Sequence, residues 1–372
     1  MGKRGTATLP LHGGSAPRWL FDRMVDLGEA IVSVIVEEYG HEELLARLAD
    51  PYWFQALGCV LGFDWHSSGV TTTTMGALKK ALDPEEHGVF VAGGKGRTSR
   101  ETPTEIAAGA DHLQGIRPDR LARTSRMAAA VDNGVLQDTY TIYHHAMVVA
   151  EGGQWTIVQQ GMEDSTARRY HWSAADVGDL VVEPHSAIAA QDRPAEVLDL
   201  TARQSDEARS VAVDLVQDDP SRLHRYVRSS DQATLDAFGG GSPATGPHLE
   251  MPSHHQLRRK DLSARAIDQL QRAYEYQPDD YEELVELDGI GKGSLRALAL
   301  IAELVYDAET AREDPAKYSY AHGGKDGTPF PVDRERYDES IDHVRTAVEG
   351  AGVDRETRQS MLSRLRELDA RR

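Results

Sequence analysis

From Thr139 to Gln160 the chain reads TYTIYHHAMVV, AEGGQ, WTIVQQ, two runs rich in β-branched and aromatic residues on either side of Gly152-Gly153. Such side chains fit the pleated surface of a strand, and paired glycines supply the positive φ that a tight connection needs. The stretch predicts an antiparallel hairpin over 139–148 and 154–160. Adjacent His144 and His145 then point to opposite faces, so one metal does not easily take both.

The rest of the chain is patterned mainly for helices. Residues 18–48 place Leu20, Met24, Leu27, Ile31, Val34 and Ile35 on one helical face, and Asp50-Pro51 ends that unit because the residue before proline avoids the helical region. In 51–82 the glycines and the run Thr71 to Thr74 suggest a turn or strand leading into a helix from Met75 to Leu82. The loop AGGKGRTSRETPTEIAAGA follows, with a helix starting at Thr104 and Glu105 after Pro103. From about 193 the chain is helical and acidic, then becomes GGGSPATGP, a composition typical of linkers. Beyond it, only YSYAHGGKDGTPFPVD interrupts a helical pattern. The expected class is α+β, with an N-terminal α+β domain carrying the β-hairpin (1–192), an acidic connector and linker (193–247), and an all-α C-terminal domain (248–372).

Composition narrows the function classes. With 40% hydrophobic and 27% charged residues in 372, the chain has enough apolar content for more than one core. No run approaches the ~20 apolar residues of a membrane span, and MGKRGTATLPLHGG lacks the apolar stretch of a secretion signal, so a cytoplasmic protein without a membrane partner is expected. Cys59 is the single cysteine, which excludes internal disulfides and Cys-rich zinc sites; in FQALGCVLGF it reads as a small core residue. Net charge is −19, and of 41 basic residues only eight are lysine. That balance suits molar salt, where the Debye length shrinks to ~3 Å, and a halophilic host is the expected explanation. In such salt, net charge does not exclude a nucleic-acid partner; local contacts decide.

One stretch points to that partner. ELDGIGKGSLRAL, residues 286–298, reads as the end of a helix, a turn through Gly289-Ile290-Gly291, and a new helix near Ser294. Glycines let the backbone turn and approach a ligand, and the free N–H groups of a helix start face an anion. The stretch resembles the helix-hairpin-helix motif of DNA repair and replication proteins, although Asp288 stands where the family usually has proline. By that likeness Gly289, Gly291, Lys292, Gly293 and Ser294 face a backbone phosphate without reading sequence, and Ile290 anchors the turn. RNA offers the same backbone chemistry and is a further expected partner.

A second signal is basic. Arg117, Arg120, Arg123 and Arg126 recur every three residues behind Pro118, and from Lys95 to Arg126 seven basic residues face four acidic ones. These side chains share a broad helical face able to steer a strand; a solvated face with intrahelical ion pairs is the alternative. GGKGRTSR, residues 93–100, has the composition of a phosphate-cradling loop without the full nucleoside-triphosphate pattern. The hairpin region collects Asp132, Asn133, Asp138, His144, His145, Gln159, Gln160, Glu163, Asp164, Arg168, Arg169 and His171. This is loosely similar to metal-dependent nuclease cores, which implies Asp138 and Gln160 as catalytic ligands of Mg²⁺ or Mn²⁺. The usual lysine is missing after Gln160, and a polar network stabilising the hairpin is the alternative.

Asp333, in GGKDGTPFPVDRERYD, resembles the aspartate by which helix-hairpin-helix glycosylases assist departure of a damaged base. It serves equally as the cap of the following helix. The expected function is therefore DNA binding in repair or recombination with metal-dependent nuclease activity, the alternatives being a glycosylase and a non-catalytic adaptor. FDWHSSG, with Asp64, His66 and Ser67, and the histidines at 12, 254, 255 and 322 lie in loop-like surroundings of undefined role.

Finally, LPLHGGSAPRWL, FQALGCVLGFDWHSSGVTTTTMGALKKAL, VQQGM with RRYHW, and AHGGKDGTPFPVDRERYD look like an uncharacterised, mostly archaeal family catalogued as domain of unknown function seven-six-three. The likeness spans nearly the whole chain apart from the acidic stretch around 193–240. It implies an archaeal origin and no particular activity.

Overall fold

Asp50 shows how local chemistry begins and ends elements here. In the structure, a computed structural model, its carboxylate accepts from the backbone N–H groups of Tyr52 and Trp53 and caps the helix that Pro51 begins. The structure describes residues 18–62, 69–163, 166–190, 197–218, 264–317 and 334–351, with positions 355, 358, 359 and 362. The class is α+β, and the chain forms two compact units. One comprises Met1–Asp132, Thr139–Pro194 and Pro315–Arg372; the other comprises Asn133–Asp138 and Ala195–Asp314. The units are not consecutive stretches: the end of the chain groups with the first unit, although the sequence reading kept it beside the glycine-rich turn. Among the described residues no helix is long and apolar enough to cross a membrane.

The first unit is built on helices α1 (Arg18–Tyr39), α2 (His41–Ala49), α3 (Pro51–Leu61), α4 (Gly69–Ala81) and the single turn α5 (Pro84–His87). Strand β1 (Val89–Lys95) follows, then α6 (Thr102–Ala110) and α7 (Pro118–Ala130), which ends in a π-helical turn, Val131–Val135. A two-residue strand β2 (Leu136–Gln137) belongs to the second unit. The chain returns as β3 (Thr141–Ala150), β4 (Trp155–Glu163), β5 (Thr166–Ser173) and β6 (Ala187–Ala190). The sheet is antiparallel throughout, in the order β1-β3-β4-β5-β6. The β3–β4 pair is the expected hairpin, with Gly152 and Gly153 both at φ 81°.

Both faces of this sheet are covered. Met24, Ile31, Ile35, Leu44, Phe54, Leu57 and Leu78 pack with Val91, Val148 and Val158 on one face, and α12 (Arg334–Gly350) adds Val344 and Val348 to the same core. Helices α6 and α7 lie on the other face. A sheet buried on both sides carries no alternation of polar and apolar residues. For that reason β1, β5 and β6 escape a pattern reading: the glycines of VFVAGGK suggest a loop, and TARRYHWS looks too polar to be buried. At Gly93, φ is 94° and an added Cβ would lie 2.3 Å from the His145 carbonyl oxygen, so glycine there serves close strand approach.

Thr71 to Thr74 lie inside helix α4 rather than in a turn or strand. The helical cost of threonine is only a few tenths of a kcal/mol, and tertiary contacts override it: Thr71 and Thr74 are buried, with the Thr71 hydroxyl donating to Gln160.

The second unit is mostly helical, with α8 (Asp206–Gln217), α9 (Ala264–Tyr276), α10 (Tyr281–Glu286) and α11 (Lys292–Tyr306). β2 pairs with β7 (Leu198–Asp199), and Asp199 bridges to Ala311. Arg209 of α8 donates to the carbonyls of Leu200 and Ala202, tying this small ribbon to the helices.

Candidate functional site

On the face of the sheet beneath α2, α3 and α4, one row of register-paired residues is polar: Lys95 of β1, His144 of β3, Gln160 of β4 and Arg169 of β5. Register partners stand about 5 Å apart, so the four form a continuous strip. Arg169 is fully buried. Its guanidinium donates to the Pro51 carbonyl at 3.0 Å, to Gln55 Oε1 at 3.1 Å and to His171 Nε2 at 2.8 Å, and it stacks on Phe54. Burial, with Arg169 beside it, holds His171 well below the usual histidine range. The ring therefore stays neutral and can accept from the arginine while its Nδ1 donates to the Leu48 carbonyl.

The register of β3 slips between Ile142 and His144, leaving Tyr143 as an extra residue. Such a bulge re-aims side chains. Here it brings the Tyr143 hydroxyl to Gln160 Nε2, on the same side as His144, while Gln160 Oε1 accepts from Thr71. Gln160 thus has both amide atoms engaged. His144 is fully buried, and among the described residues neither ring nitrogen has a hydrogen-bond partner. Burial, reinforced by His145 and Lys95, lowers its pKa to about 3.

On the opposite face, a closed chain of hydrogen bonds runs through residues that no spacing in the sequence links. Gln159 Nε2 donates to Asp132 Oδ2 at 2.5 Å and to the Ala128 carbonyl at 3.1 Å, so its Oε1 must be the atom facing His145 Nδ1 at 2.8 Å. His145 therefore carries its proton on Nδ1, and Nε2 accepts from the Ser125 hydroxyl at 2.7 Å. Asp132, held inward by the π-helical turn, also accepts from Trp172 Nε1 at 3.1 Å and His185 Nε2 at 2.5 Å. Burial depresses His145, while Gln159 and Asp132 oppose the shift. Ser125, Trp172 and His185 were beyond the reach of sequence reasoning because the chain places them on α7, on β5 and in the segment before β6.

In the second unit, α10 and α11 are joined by the turn 287–291. Gly289 is exposed at φ 94°, a conformation that favours glycine, and Lys292 is exposed at the first position of α11. Ile290 and Gly291 are half-buried, and Ser294 is buried in the first turn. Among the described residues no side chain caps α11. The Ile290 N–H closes the turn on the Leu287 carbonyl at 3.1 Å, and Gln137 of the same unit braces it by donating to the Lys292 carbonyl at 2.9 Å. A Cβ built on Gly291 meets nothing within 4 Å.

The other predicted residues are distributed as follows. Arg117, Arg120 and Arg126 are exposed and Arg123 half-buried along α7, with exposed Lys95, Arg97 and Arg100 on the segment before α6. Asp138 is fully buried in the second unit, whereas Gln160 belongs to the first. Asp333, Asp64, His66, Ser67 and the histidines at 12, 254, 255 and 322 lie outside the described residues. Among the described residues the group able to hold a metal ion is Glu29, Glu86 and His87, whose ligand atoms lie within 4.8 Å of one another. His87 Nδ1 lies 3.1 Å from the backbone of Asp83, which leaves Nε2 for a cation. Neither Asp138 nor Gln160 is in that group.

Comparison with curated proteins and with solved structures finds no match. A family model does match, over residues 5–332, and by that match the chain belongs to the family described as protein of unknown function, DUF763.

Proposed function

We propose that this protein binds nucleic acid by its phosphodiester backbone, DNA first and RNA through the same chemistry, in a repair or recombination setting. The observation that carries the reading is the exposed turn from Gly289 to Lys292, where a left-handed glycine, an uncapped helix start and a lysine ammonium meet at one surface. Backbone N–H groups and a cation of this kind hold phosphates without reading bases. The exposed arginines of α7 add positive surface within the first unit.

Gly291 supplies a clean test. Its φ of −151° suits any residue and open space surrounds its Cβ position, so Gly291→Val obstructs an approaching phosphate without straining the turn. Gly289→Val would confound the experiment by straining the backbone. Affinity for labelled duplex DNA, measured by fluorescence anisotropy in potassium chloride from low to molar concentration, should fall about tenfold in Gly291→Val at an unchanged melting temperature. Lys292→Ala should lower the slope of log K against log salt by about 0.9, one phosphate contact. Binding by Gly291→Val as tight as wild type removes the turn as the grip.

Metal-dependent cleavage by Mg²⁺ or Mn²⁺ is the second reading, and the Glu29, Glu86 and His87 group favours it. Two carboxylates and an imidazole suit Mn²⁺ better than Mg²⁺, and both amide atoms of Gln160 are engaged elsewhere. Cleavage that disappears with chelator and in Glu29→Gln supports this reading; cleavage lost instead in Asp138→Ala returns the metal to the pair first read from the sequence.

A further inference from the structure

The strip at the open end of β1 and β3 holds more hydrogen-bond donors than acceptors. Tyr143 accepts at its oxygen from Gln160, so its own hydroxyl proton is left to donate, and burial keeps it protonated by raising its pKa. His144 has one ring N–H and a bare ring nitrogen, both buried, with no partner for either among the described residues. Lys95, its register partner on β1, is exposed, and its ammonium lies 5.8 Å from the centre of the Tyr143 ring. A buried polar group without a partner costs roughly 1–3 kcal/mol, and in native proteins such groups answer to a function or to a bound species. Three donors of graded depth, from exposed Lys95 through half-buried Tyr143 to buried His144, converge on one end of the sheet.

The backbone beside them is open at Gly96, whereas a Cβ at Gly94 would meet Thr98 at 3.2 Å. Gly94 and Gly96 flank Lys95 at φ 148° and 61°, and a Cβ at Gly96 would meet nothing within 4 Å. Arg97 and Arg100 follow at exposed positions. This is the GGKGR stretch whose composition suggested a phosphate cradle.

We propose that Lys95, Tyr143 and His144 form a binding site for a tetrahedral oxyanion, the phosphate of a phosphomonoester entering from the Lys95 side. The β3 bulge builds the site by turning Tyr143 to the side of His144. Lys95 supplies the charge, the Tyr143 hydroxyl and the His144 N–H supply direction, and Gln160 holds the tyrosine oxygen in place. The site lies wholly in the first unit and the turn proposed to grip nucleic acid belongs to the second, so either reading can fail without the other.

The test uses the full chain, labelled with ¹⁵N at histidine, titrated in molar potassium chloride with inorganic phosphate, a nucleoside monophosphate, a 5′-phosphorylated oligonucleotide and acetate. A saturable shift of the His144 ring signals with phosphate, and no such shift with acetate, is expected. Tyr143→Phe keeps the ring and Lys95→Gln alters an exposed position, so both variants should fold. Each should weaken binding about tenfold, the loss of one hydrogen bond to a charged group. The two esters distinguish sources: tighter binding of the monophosphate marks a small-molecule ligand, and tighter binding of the oligonucleotide marks a strand end, both within the proposal. No saturable response in the wild-type protein overturns it, as does a response undiminished in both variants or one that acetate reproduces.

Discussion

Asp132→Ala should destabilise the first unit by roughly 4 kcal/mol, because Trp172 Nε1 and His185 Nε2 lose their acceptor together, each costing about 1–3 kcal/mol when left unsatisfied, and Gln159 Nε2 keeps only the Ala128 carbonyl. Gln159 Nε2, Trp172 Nε1 and His185 Nε2 all converge on this carboxylate, which is fully buried. A domain is typically stable by about 5–15 kcal/mol, so a loss of that size takes much of the margin. The damage should spread along the chain of bonds. Without Asp132 the Gln159 amide is held only by the Ala128 carbonyl, which loosens the acceptor of the proton on His145 Nδ1 and, through that ring, the partner of Ser125. Asp132→Asn should cost less, since one oxygen still accepts while the new amide group sets a donor against a donor. Urea unfolding in molar potassium chloride measures both. A loss below about 1 kcal/mol in Asp132→Ala would show that the carboxylate does not stabilise the fold.

The fold was legible where a single segment contains its own instructions. The β3–β4 hairpin needed only its two strand-forming runs and the paired glycines. Asp50-Pro51 needed only the proline rule and a short acceptor side chain. The helices on either side of Gly289 follow from local glycine chemistry. What escaped depends on partners far away in the chain. Arg169 and His171 make β5 look exposed until α2 and α3 bring Leu48, Pro51 and Gln55 against it. Thr71 looks like a strand residue until Gln160, 89 positions later, accepts its hydroxyl proton. The Glu29, Glu86 and His87 group has no spacing signature because α1 and α5 meet only in three dimensions. The adjacent histidines were the exception. Their opposite orientation follows from strand geometry alone, and it places His145 in the hydrogen-bonded chain on one face of the sheet and His144 in the polar strip on the other.

Acid should begin to destabilise this protein before most of its carboxylates titrate. His144 is held at about 3 by burial, with His145 and Lys95 adding to it, and His171 well below 6.5 by burial with Arg169 beside it. In the unfolded chain both titrate near 6.5. Each therefore binds a proton in the unfolded state before it does so when folded. Stability is intact above pH 6.5 and falls as pH drops below it; for His144 the decline continues to about pH 3. At pH 5 His144 alone has cost about 2 kcal/mol, and His171 adds in the same direction, while most carboxylates are still ionised. Molar salt should leave this slope in place, since screening acts on exposed charges and both rings are fully buried. Urea unfolding at pH 7.5, 6 and 5, compared between wild type and His144→Gln, isolates one contribution. The variant should lose about 2 kcal/mol less than wild type over that range, and equal losses would mean that His144 is protonated in the folded protein at pH 5. The sign of that result also bears on the oxyanion site. A ring that stays neutral gives direction through one N–H and no charge, which leaves Lys95 as the cation on which affinity depends.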